Sequence, residues 1–240
     1  FDVTITLPEN YVVGATGTLQ TESERRFLEQ KITETEALVK GGFPKGNDFP
    51  PSSPVMKTIR FTADNVHDFA WFADKRFHVL KDEAVLPSGK RVDAWAMFTN
   101  QEADLWAKSA FYVKRAVAFY SSLVGEYPWP HATAVQSALS AGAGMEYPMI
   151  TVIGRSGSAR ALDDVITHEV GHNWFYGILA SNERDHAWMD EGMNTYYEFR
   201  YMRKHYDDKR SSQQLPDFIQ KSTDHDLYEL AYLLQCRRRL

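Results

Sequence analysis

The stretch that decides the interpretation of this chain is His168-Glu169-Val170-Gly171-His172-Asn173-Trp174-Phe175. Residues four apart lie on one face of an α-helix, so the imidazoles of His168 and His172 can turn toward a single ion. Glu169 lies between them around the helix, where its carboxylate can hold a water on the ion without being a ligand. This spacing therefore predicts a helix that carries two metal ligands and a general base.

A third ligand is expected from the next helical segment. Glu191 follows His172 after an interval of eighteen residues, with Asp190 before it and Gly192 after it. A connection of this length allows a second helix to return beside the first and to offer a carboxylate. Catalytic zinc usually has three protein ligands and keeps its fourth position open. The sequence thus predicts one zinc ion bound by two histidines and one glutamate.

The composition excludes several other classes of protein. The 240 residues are 43% hydrophobic and 25% charged, as is typical of a folded globular protein. A net charge of −5 without a concentrated basic stripe argues against nucleic acid as a partner. No apolar run approaches the length of a membrane span. The one cysteine, Cys236, can form no disulfide within the chain and no cysteine zinc site.

The chain changes character near residue 100. Alternating polar and apolar residues predict strands at Phe1–Leu7, 57–62 and 91–98, while 21–40 is helical in character and 41–54 is a loop. Beyond residue 100, helices are predicted up to Leu123, over 162–175 and over 188–206, with a single strand over 144–153. Thr99 and Glu102 have the spacing of a capping box.

Several motifs in their order resemble one known family. The zinc-helix motif, Trp188-Met-Asp-Glu-Gly192, Tyr196-Tyr-Glu198 and the upstream Ala143-Gly-Met-Glu-Tyr-Pro148 are together similar to the aminopeptidase N family of zinc metallopeptidases, which are gluzincins and include leukotriene hydrolases. The resemblance implies an α+β fold in which the end of an N-terminal β-rich domain, 1–100, precedes a thermolysin-like catalytic domain, 101–240, that is incomplete at its C-terminus. The chain, which opens at Phe1, is accordingly expected to be a piece of a longer protein.

The resemblance also implies a function and its residues. It predicts a zinc-dependent aminopeptidase that hydrolyses the N-terminal peptide bond of peptides with a free N-terminus. One Zn²⁺ ion is expected on His168, His172 and Glu191. Glu169 is the expected general base, which activates a water on this zinc ion and later protonates the leaving amine.

Substrate binding is assigned by the same resemblance. Glu146 is expected to bind the free α-amino group of the peptide, and backbone groups of Ala143 and Gly144 to line the substrate. The family often has glycine at the position of Ala143 and asparagine at that of Tyr147, so the shape of the pocket for the first side chain is left open. The family's oxyanion-stabilising tyrosine is expected beyond Leu240, and the isolated chain is therefore expected to be weak or inactive.

Other polar residues near the motif have more ordinary interpretations. Asp190 replaces the family's usual asparagine and either accepts a hydrogen bond from a ligating histidine or only begins the helix. Thr195 could orient a ligand from behind. Asp163 and Asp164 are expected to be favourable charges in the first turn of the zinc helix rather than ligands.

Two alternatives remain open from the sequence. A zinc endopeptidase of thermolysin type shares the two-histidine helix and the downstream glutamate, but it has no use for a carboxylate such as Glu146 that awaits a free amine. A non-catalytic binding module could retain zinc for stability, but structural zinc sites normally have four protein ligands. The compartment, the oligomeric state and the preferred N-terminal residue are not readable from the sequence.

Overall fold

The structure, a computed structural model, describes residues 1–137, 139 and 143–206. Its strands are β1 (Asp2–Pro8), β2 (Val12–Ala15), β3 (Thr18–Leu19), β4 (Met56–Thr62), β5 (Trp71–Asp74), β6 (His78–Val85), β7 (Arg91–Phe98), β8 (His131–Gln136), β9 (Gly144–Tyr147) and β10 (Ile150–Ile153). Its α-helices are α1 (Glu22–Gly41), α2 (Ala103–Trp106), α3 (Ser109–Leu123), α4 (Ala159–His172) and α5 (Met193–Tyr206). A 3₁₀ turn at Asn100–Glu102 precedes α2, and π-helical turns follow α4 at Asn173–Ile178 and precede α5 at Trp188–Gly192.

A five-stranded sheet forms the centre of the described structure. Its order is β6-β7-β8-β10-β9, with parallel pairing of β7 to β8 and of β8 to β10 and antiparallel pairing at both ends. Small buried residues such as Ala94, Ala96 and Ala134 line the strands and let α3 pack closely against the sheet. Strand β9, which carries Glu146, lies at the edge of this sheet.

The first 75 residues contact both edges of this sheet. They form a three-stranded sheet of order β1-β4-β3 and a separate β2-β5 pair, with α1 packed against β6. The buried Thr16 hydroxyl donates to the carbonyl of Pro148 at 2.8 Å, in the turn between β9 and β10. The N-terminal segment therefore fixes the hairpin that carries Glu146.

Most element predictions are confirmed. Strands are present at 2–8, 56–62 and 91–98, and α1 extends over 22–41. The prediction of one strand over 144–153 is wrong, because the chain reverses at Pro148 and Met149 and forms the hairpin β9–β10. Met149 takes the left-handed backbone conformation with φ of 66°, and its N–H donates to Asn173 Oδ1 at 2.9 Å, which holds the turn against the end of α4.

The predicted capping box is only half formed. The Thr99 hydroxyl accepts from the N–H of Gln101 at 3.3 Å, as a helix cap does. Glu102 does not close the box with Thr99, because its carboxylate accepts from the N–H groups of Ser156 and Gly157, each at 3.3 Å. Glu102 thus stabilises the loop that leads into α4.

The architecture is a mixed α+β arrangement, as predicted. The boundary at residue 100 stays a prediction, and β6 and β7 on one side of it share a sheet with β8 on the other. Among the described residues, no helix is both long and apolar enough to cross a bilayer.

Candidate metal centre

One face of helix α4 packs in the core, and another face carries the two histidines that are predicted to bind metal. Its N-terminus is capped by Ser158, whose hydroxyl accepts from the N–H of Ala161 at 3.1 Å. Leu162, Ile166 and Val170 recur four residues apart and are buried in the core that the sheet and α3 share. His168 and His172 are consequently left on a different face, one turn apart.

The three predicted ligands converge on one point. The Nε2 atoms of His168 and His172 lie 3.1 Å apart. Glu191 Oε2 lies 3.2 Å from His168 Nε2 and 3.8 Å from His172 Nε2. Glu191 reaches them from the π-helical turn at Trp188–Gly192, which returns beside α4 as the spacing predicted.

This triangle fits a tetrahedral zinc ion. Ligand bonds of about 2.0–2.1 Å at tetrahedral angles place neighbouring ligand atoms about 3.3 Å apart. Two of the observed separations, 3.1 and 3.2 Å, lie close to that value, and the third, 3.8 Å, is longer. The surroundings also favour a cation: burial lowers the pKa of His168, but hydrogen bonds to Glu191 and Glu198 outweigh it and raise this pKa well above its ordinary value. Two imidazoles and a carboxylate are also the ligand types that suit zinc.

A carboxylate next to Nδ1 orients each of the two histidine rings. His172 Nδ1 lies 2.7 Å from Asp190 Oδ1, and His168 Nδ1 lies 2.7 Å from Glu198 Oε2. When Nδ1 donates its proton to these carboxylates, Nε2 keeps a free lone pair for a metal. Of the two roles considered for Asp190, the structure shows the hydrogen bond to a histidine. No such role was predicted for Glu198, although it lies seven residues, or two helical turns, beyond Glu191.

Glu169 is buried beside the ligand triangle. Its side chain is only 5% exposed, and Oε2 has no hydrogen-bond partner among the described residues. Burial raises the pKa of Glu169 to about 7. A buried carboxylate oxygen without a partner is costly in a folded protein, which is typical of a group that completes its bonding with a ligand.

Strand β9 brings Glu146 and Gly144 to the same place. Carboxylate oxygens of Glu146 and Glu169 and a ring nitrogen of His172 all lie within 4.8 Å of one another. A Cβ atom on Gly144 would lie only 2.0 Å from Glu169 Oε1, so the missing side chain leaves the space that this carboxylate occupies. Burial raises the pKa of Glu146. Ala143 directly precedes the strand.

A buried amide locks α4 to α5 behind the ligands. Asn194 donates from Nδ2 to the carbonyl of His168 at 2.7 Å and accepts from the Tyr120 hydroxyl at 3.2 Å. Gly171 makes this possible, because a Cβ atom there would lie 2.0 Å from Asn194 Oδ1 and 2.4 Å from the Tyr120 hydroxyl. The position of Glu191 relative to the histidines therefore depends on close contact at Gly171.

The interpretation of Asp163 and Asp164 as first-turn charges is wrong. Helix α4 begins at Ala159 and has no acidic residue in its first turn. Asp163 is fully buried and forms an ion pair with Arg115, and it accepts from the Tyr201 hydroxyl at 2.8 Å. Asp164 lies beside Glu198, and burial together with that second carboxylate raises its pKa to about 7.

The remaining predictions about single residues have mixed outcomes. Tyr201 is fully buried in the core. Among the described residues, the other histidines join no cluster of metal-ligand type. Thr195 as a residue that orients a ligand stays a prediction. His225, Tyr228 and Tyr232 lie outside the described residues.

The chain is similar to known aminopeptidases and zinc metallopeptidases. The curated leucine aminopeptidase 2-1 of Meyerozyma guilliermondii is 34% identical over 87 residues, which is 35% of this chain and 14% of that protein. An M1 zinc metallopeptidase from Deinococcus radiodurans matches 85% of this chain and 40% of its own, with a TM-score of 0.57 at 15% identity. Legionella pneumophila aminopeptidase A, solved in complex with aspartic acid, matches 85% of this chain and 23% of its own, with a TM-score of 0.59 at 12% identity.

The two solved structures share the fold of this chain, which spans less than half the length of each of these three relatives. A sequence model of the peptidase family M1 domain matches residues 112–231, which is half of the chain and includes the hairpin, α4 and the ligand triangle. The chain therefore belongs to peptidase family M1.

Proposed function

We propose that the protein containing this chain is a zinc-dependent aminopeptidase and that His168, His172 and Glu191 hold its zinc ion. The observation that carries the proposal is the triangle of two Nε2 atoms and one carboxylate oxygen, with sides of 3.1, 3.2 and 3.8 Å. Only three protein ligands meet there among the described residues, whereas a zinc ion that serves stability alone usually has four. An open position is what a catalytic ion needs.

The chain's own residues divide the chemistry between them. When bound, zinc supplies Lewis acidity, which polarises the scissile carbonyl and lowers the pKa of water. Glu169 accepts the proton of the attacking water on its unpartnered oxygen and delivers it to the nitrogen of the leaving amine. Asp190 and Glu198 keep both imidazoles in the tautomer that leaves Nε2 unprotonated.

The exopeptidase character of the proposal depends on Glu146. Strand β9 is a sheet edge among the described residues, and an extended peptide can pair with backbone groups of such an edge, as at Gly144. Beside it, the carbonyl of Ala143 already accepts from the N–H of Gly154 at 2.8 Å, so Ala143 would line the peptide without offering that carbonyl. A peptide held there with its ammonium group against Glu146 has its first peptide bond near Glu169 and the ligands. An internal stretch of peptide has no ammonium group to offer.

The proposal extends to the organisation of the longer protein. We assign residues 1–100 to the end of a preceding β-rich domain and residues 101–240 to an incomplete thermolysin-like domain. The tyrosine that stabilises the oxyanion is expected beyond Leu240. The loss of one oxyanion donor costs about 10²–10³ in rate in other hydrolases, so the isolated chain is expected to be weak or inactive.

The Glu169→Gln variant of the full-length protein tests the mechanism. Glutamine keeps the shape of the side chain but cannot accept the proton, so turnover of a free-amine aminoacyl anilide should fall by about 10²–10⁴-fold. The zinc content should stay at one ion per chain, because Glu169 is not a ligand. Glu34→Gln on the exposed side of α1 is the matched control and should change neither quantity. Full activity of Glu169→Gln would refute the role of the base.

Comparison of a peptide with its N-acetylated form separates the proposal from the thermolysin-type alternative. Acetylation removes the ammonium group that Glu146 is proposed to bind, so an aminopeptidase should lose nearly all activity on the acetylated peptide. Equal cleavage of both peptides would favour an endopeptidase. Zinc bound at one ion per chain without cleavage of either peptide by the full-length protein would favour the non-catalytic module.

A further inference from the structure

The connection between the π-helical turn after α4 and helix α5 carries the carboxylate of Glu183. Glu183 lies in a turn closed by Asn182, whose carbonyl accepts from the N–H of His186 at 2.9 Å and whose side chain accepts from the N–H of Asp185 at 3.3 Å. Carboxylate oxygens of Glu183, Glu146 and Asp190 lie within 4.8 Å of one another.

The glutamates of this group have no basic side chain of lysine or arginine beside them among the described residues. Glu183 Oε2 is inaccessible to solvent and has no hydrogen-bond partner, and no described lysine or arginine pairs with Glu183 or Glu146. Tyr176 is near enough for both carboxylates to contribute to the rise of its pKa, which burial dominates, but its hydroxyl donates to Asp68 Oδ2 at 3.1 Å. A carboxylate oxygen that neither solvent nor a protein group reaches is costly, so a bound cation is the simplest compensation.

A second observation indicates where that cation lies. Glu169 is 5% exposed with an unpartnered Oε2, and its carboxylate lies within 4.8 Å of Glu146. The carboxylates of Glu183 and Glu169, each with one unpartnered oxygen, therefore both lie within 4.8 Å of Glu146. A ligand that serves this group must carry positive charge next to the reacting bond.

We propose that Glu183 and Glu146 together bind the α-ammonium group of the substrate, so that Glu183 is a substrate-binding residue of this site. The inference rests on the proposed aminopeptidase function and specifies how the free N-terminus is recognised. An ammonium group has three N–H donors, which two carboxylates can accept from different directions. Asp190 is less available, because its Oδ1 already accepts from His172 Nδ1.

The test compares two zinc-binding ligands that differ only in the amine. Leucine hydroxamate carries the α-ammonium group, and 4-methylpentanoyl hydroxamate is the same molecule without it. Calorimetry on the zinc-loaded, full-length protein measures both dissociation constants without any need for turnover. In Glu183→Gln, leucine hydroxamate should bind about 10- to 100-fold more weakly, as for the loss of one charged hydrogen bond, while the amine-free ligand should bind as before.

The same turn provides the control variant. Asp185→Asn changes an exposed acid two residues away and should leave both constants unchanged. If Glu183→Gln fails to fold, Glu183→Asp can be used instead, because it keeps the charge but places the carboxylate farther from the ligand. It should show a smaller loss of affinity that is still restricted to leucine hydroxamate. Equal weakening of both ligands, or of neither, overturns the proposal.

Two further readouts separate the possible failures. If the wild type holds two divalent ions per chain and Glu183→Gln holds one, the three carboxylates form a second metal site and the proposal is wrong. If the wild type fails to cleave free-amine peptides, the proposed aminopeptidase function fails. The difference between the two hydroxamates still decides the role of Glu183 in that case.

Discussion

Helix α4 carries two buried polar clusters that differ in one respect. The arginine cluster, formed by Asp163, Arg115, Tyr201 and Tyr206, brings its own cation: Arg115 pairs with Asp163, and the two tyrosine hydroxyls donate to the same carboxylate at 2.8 and 2.5 Å. Every charge in it has a protein partner. Such a cluster is complete when the chain is folded, and it joins α3, α4 and α5.

The metal cluster, formed by His168, His172, Glu191, Glu169 and Glu146, is incomplete by the same criterion. Its ring Nε2 atoms face each other across 3.1 Å, and one oxygen of Glu169 has no partner. The two clusters begin only five residues apart on one helix, at Asp163 and at His168. Neither the burial of the helix nor its helix propensity therefore explains why one cluster is complete and the other is not. A buried polar cluster that satisfies itself stabilises the fold, and one that does not is expected to bind a ligand.

The largest expected effect on stability comes from the arginine cluster. Asp163→Asn leaves the guanidinium of Arg115 without its counter-charge, so the free energy of unfolding should fall by about 3 kcal/mol. The lower end of the usual range applies because the Arg115 side chain is 22% exposed. Urea unfolding of the zinc-loaded protein measures this loss, and Glu34→Gln in an exposed ion pair should lose less than about 1 kcal/mol.

The zinc affinity of folded Asp163→Asn protein tests whether the two clusters are independent. Below the unfolding transition this variant should bind zinc as tightly as the wild type does, because no ligand touches Asp163. A tenfold loss of zinc affinity with native stability would mean that the two clusters are not independent.

The second prediction concerns the carboxylates behind the ligands. Glu198→Ala removes the acceptor at 2.7 Å from His168 Nδ1, and the affinity for zinc should fall by about 10- to 100-fold. Glu198→Gln is the matched control, since its amide oxygen can still accept that hydrogen bond. Competition with a chelator gives the dissociation constants. An unchanged zinc affinity in Glu198→Ala would show that His168 is oriented by packing alone.

The sequence was sufficient to predict that His168, His172 and Glu191 lie together, but not which residues contact them from the other side. Helical geometry alone places the two histidines, which are one turn apart, on one face of the helix. The glutamate follows them at a fixed spacing that can be read from the sequence. The neighbours of Asp163 come from α3 and α5, at distances of 48 and 38 residues along the chain, so no local rule could assign it to an ion pair. The hairpin β9–β10 was missed because its reversal depends on Met149 in a left-handed conformation that Asn173 stabilises.

The third prediction tests the close contact that links the ligands on α4 to α5. Gly171→Ala places a methyl group against Asn194 Oδ1 and the Tyr120 hydroxyl, both buried, so the free energy of unfolding should fall by about 1–3 kcal/mol. Gly41→Ala at the end of α1 has no atom within 4 Å of the new methyl group and should be near neutral. Thermal unfolding of both variants gives the comparison. If Gly171→Ala were as stable as Gly41→Ala, α4 and α5 would have room to separate.

The smallest expected effect is on the pH dependence of stability and comes from His131, which lies away from the metal cluster. His131 lies 2.8 Å from the carbonyl of Gly17 through Nε2 and 3.1 Å from the hydroxyl of Thr133 through Nδ1. Burial lowers the pKa of His131, although the bond to Gly17 and the nearby Asp93 act in the opposite direction. Its folded pKa is therefore below the unfolded value of about 6.5.

The unfolded chain consequently binds more protons than the folded chain does as the pH falls below about 6.5, and His131 makes the protein less stable in that range. His131→Gln keeps a donor for the carbonyl of Gly17 but has no such titration. The difference in unfolding midpoint between the wild type and this variant should therefore shift in favour of the variant from pH 7.5 to pH 5.5. Subtraction of the two curves removes the acid-dependent loss of zinc, which both proteins share. A difference that does not change with pH would mean that His131 has the same pKa in the folded and the unfolded chain. Its burial among protein partners would then have no effect on its charge.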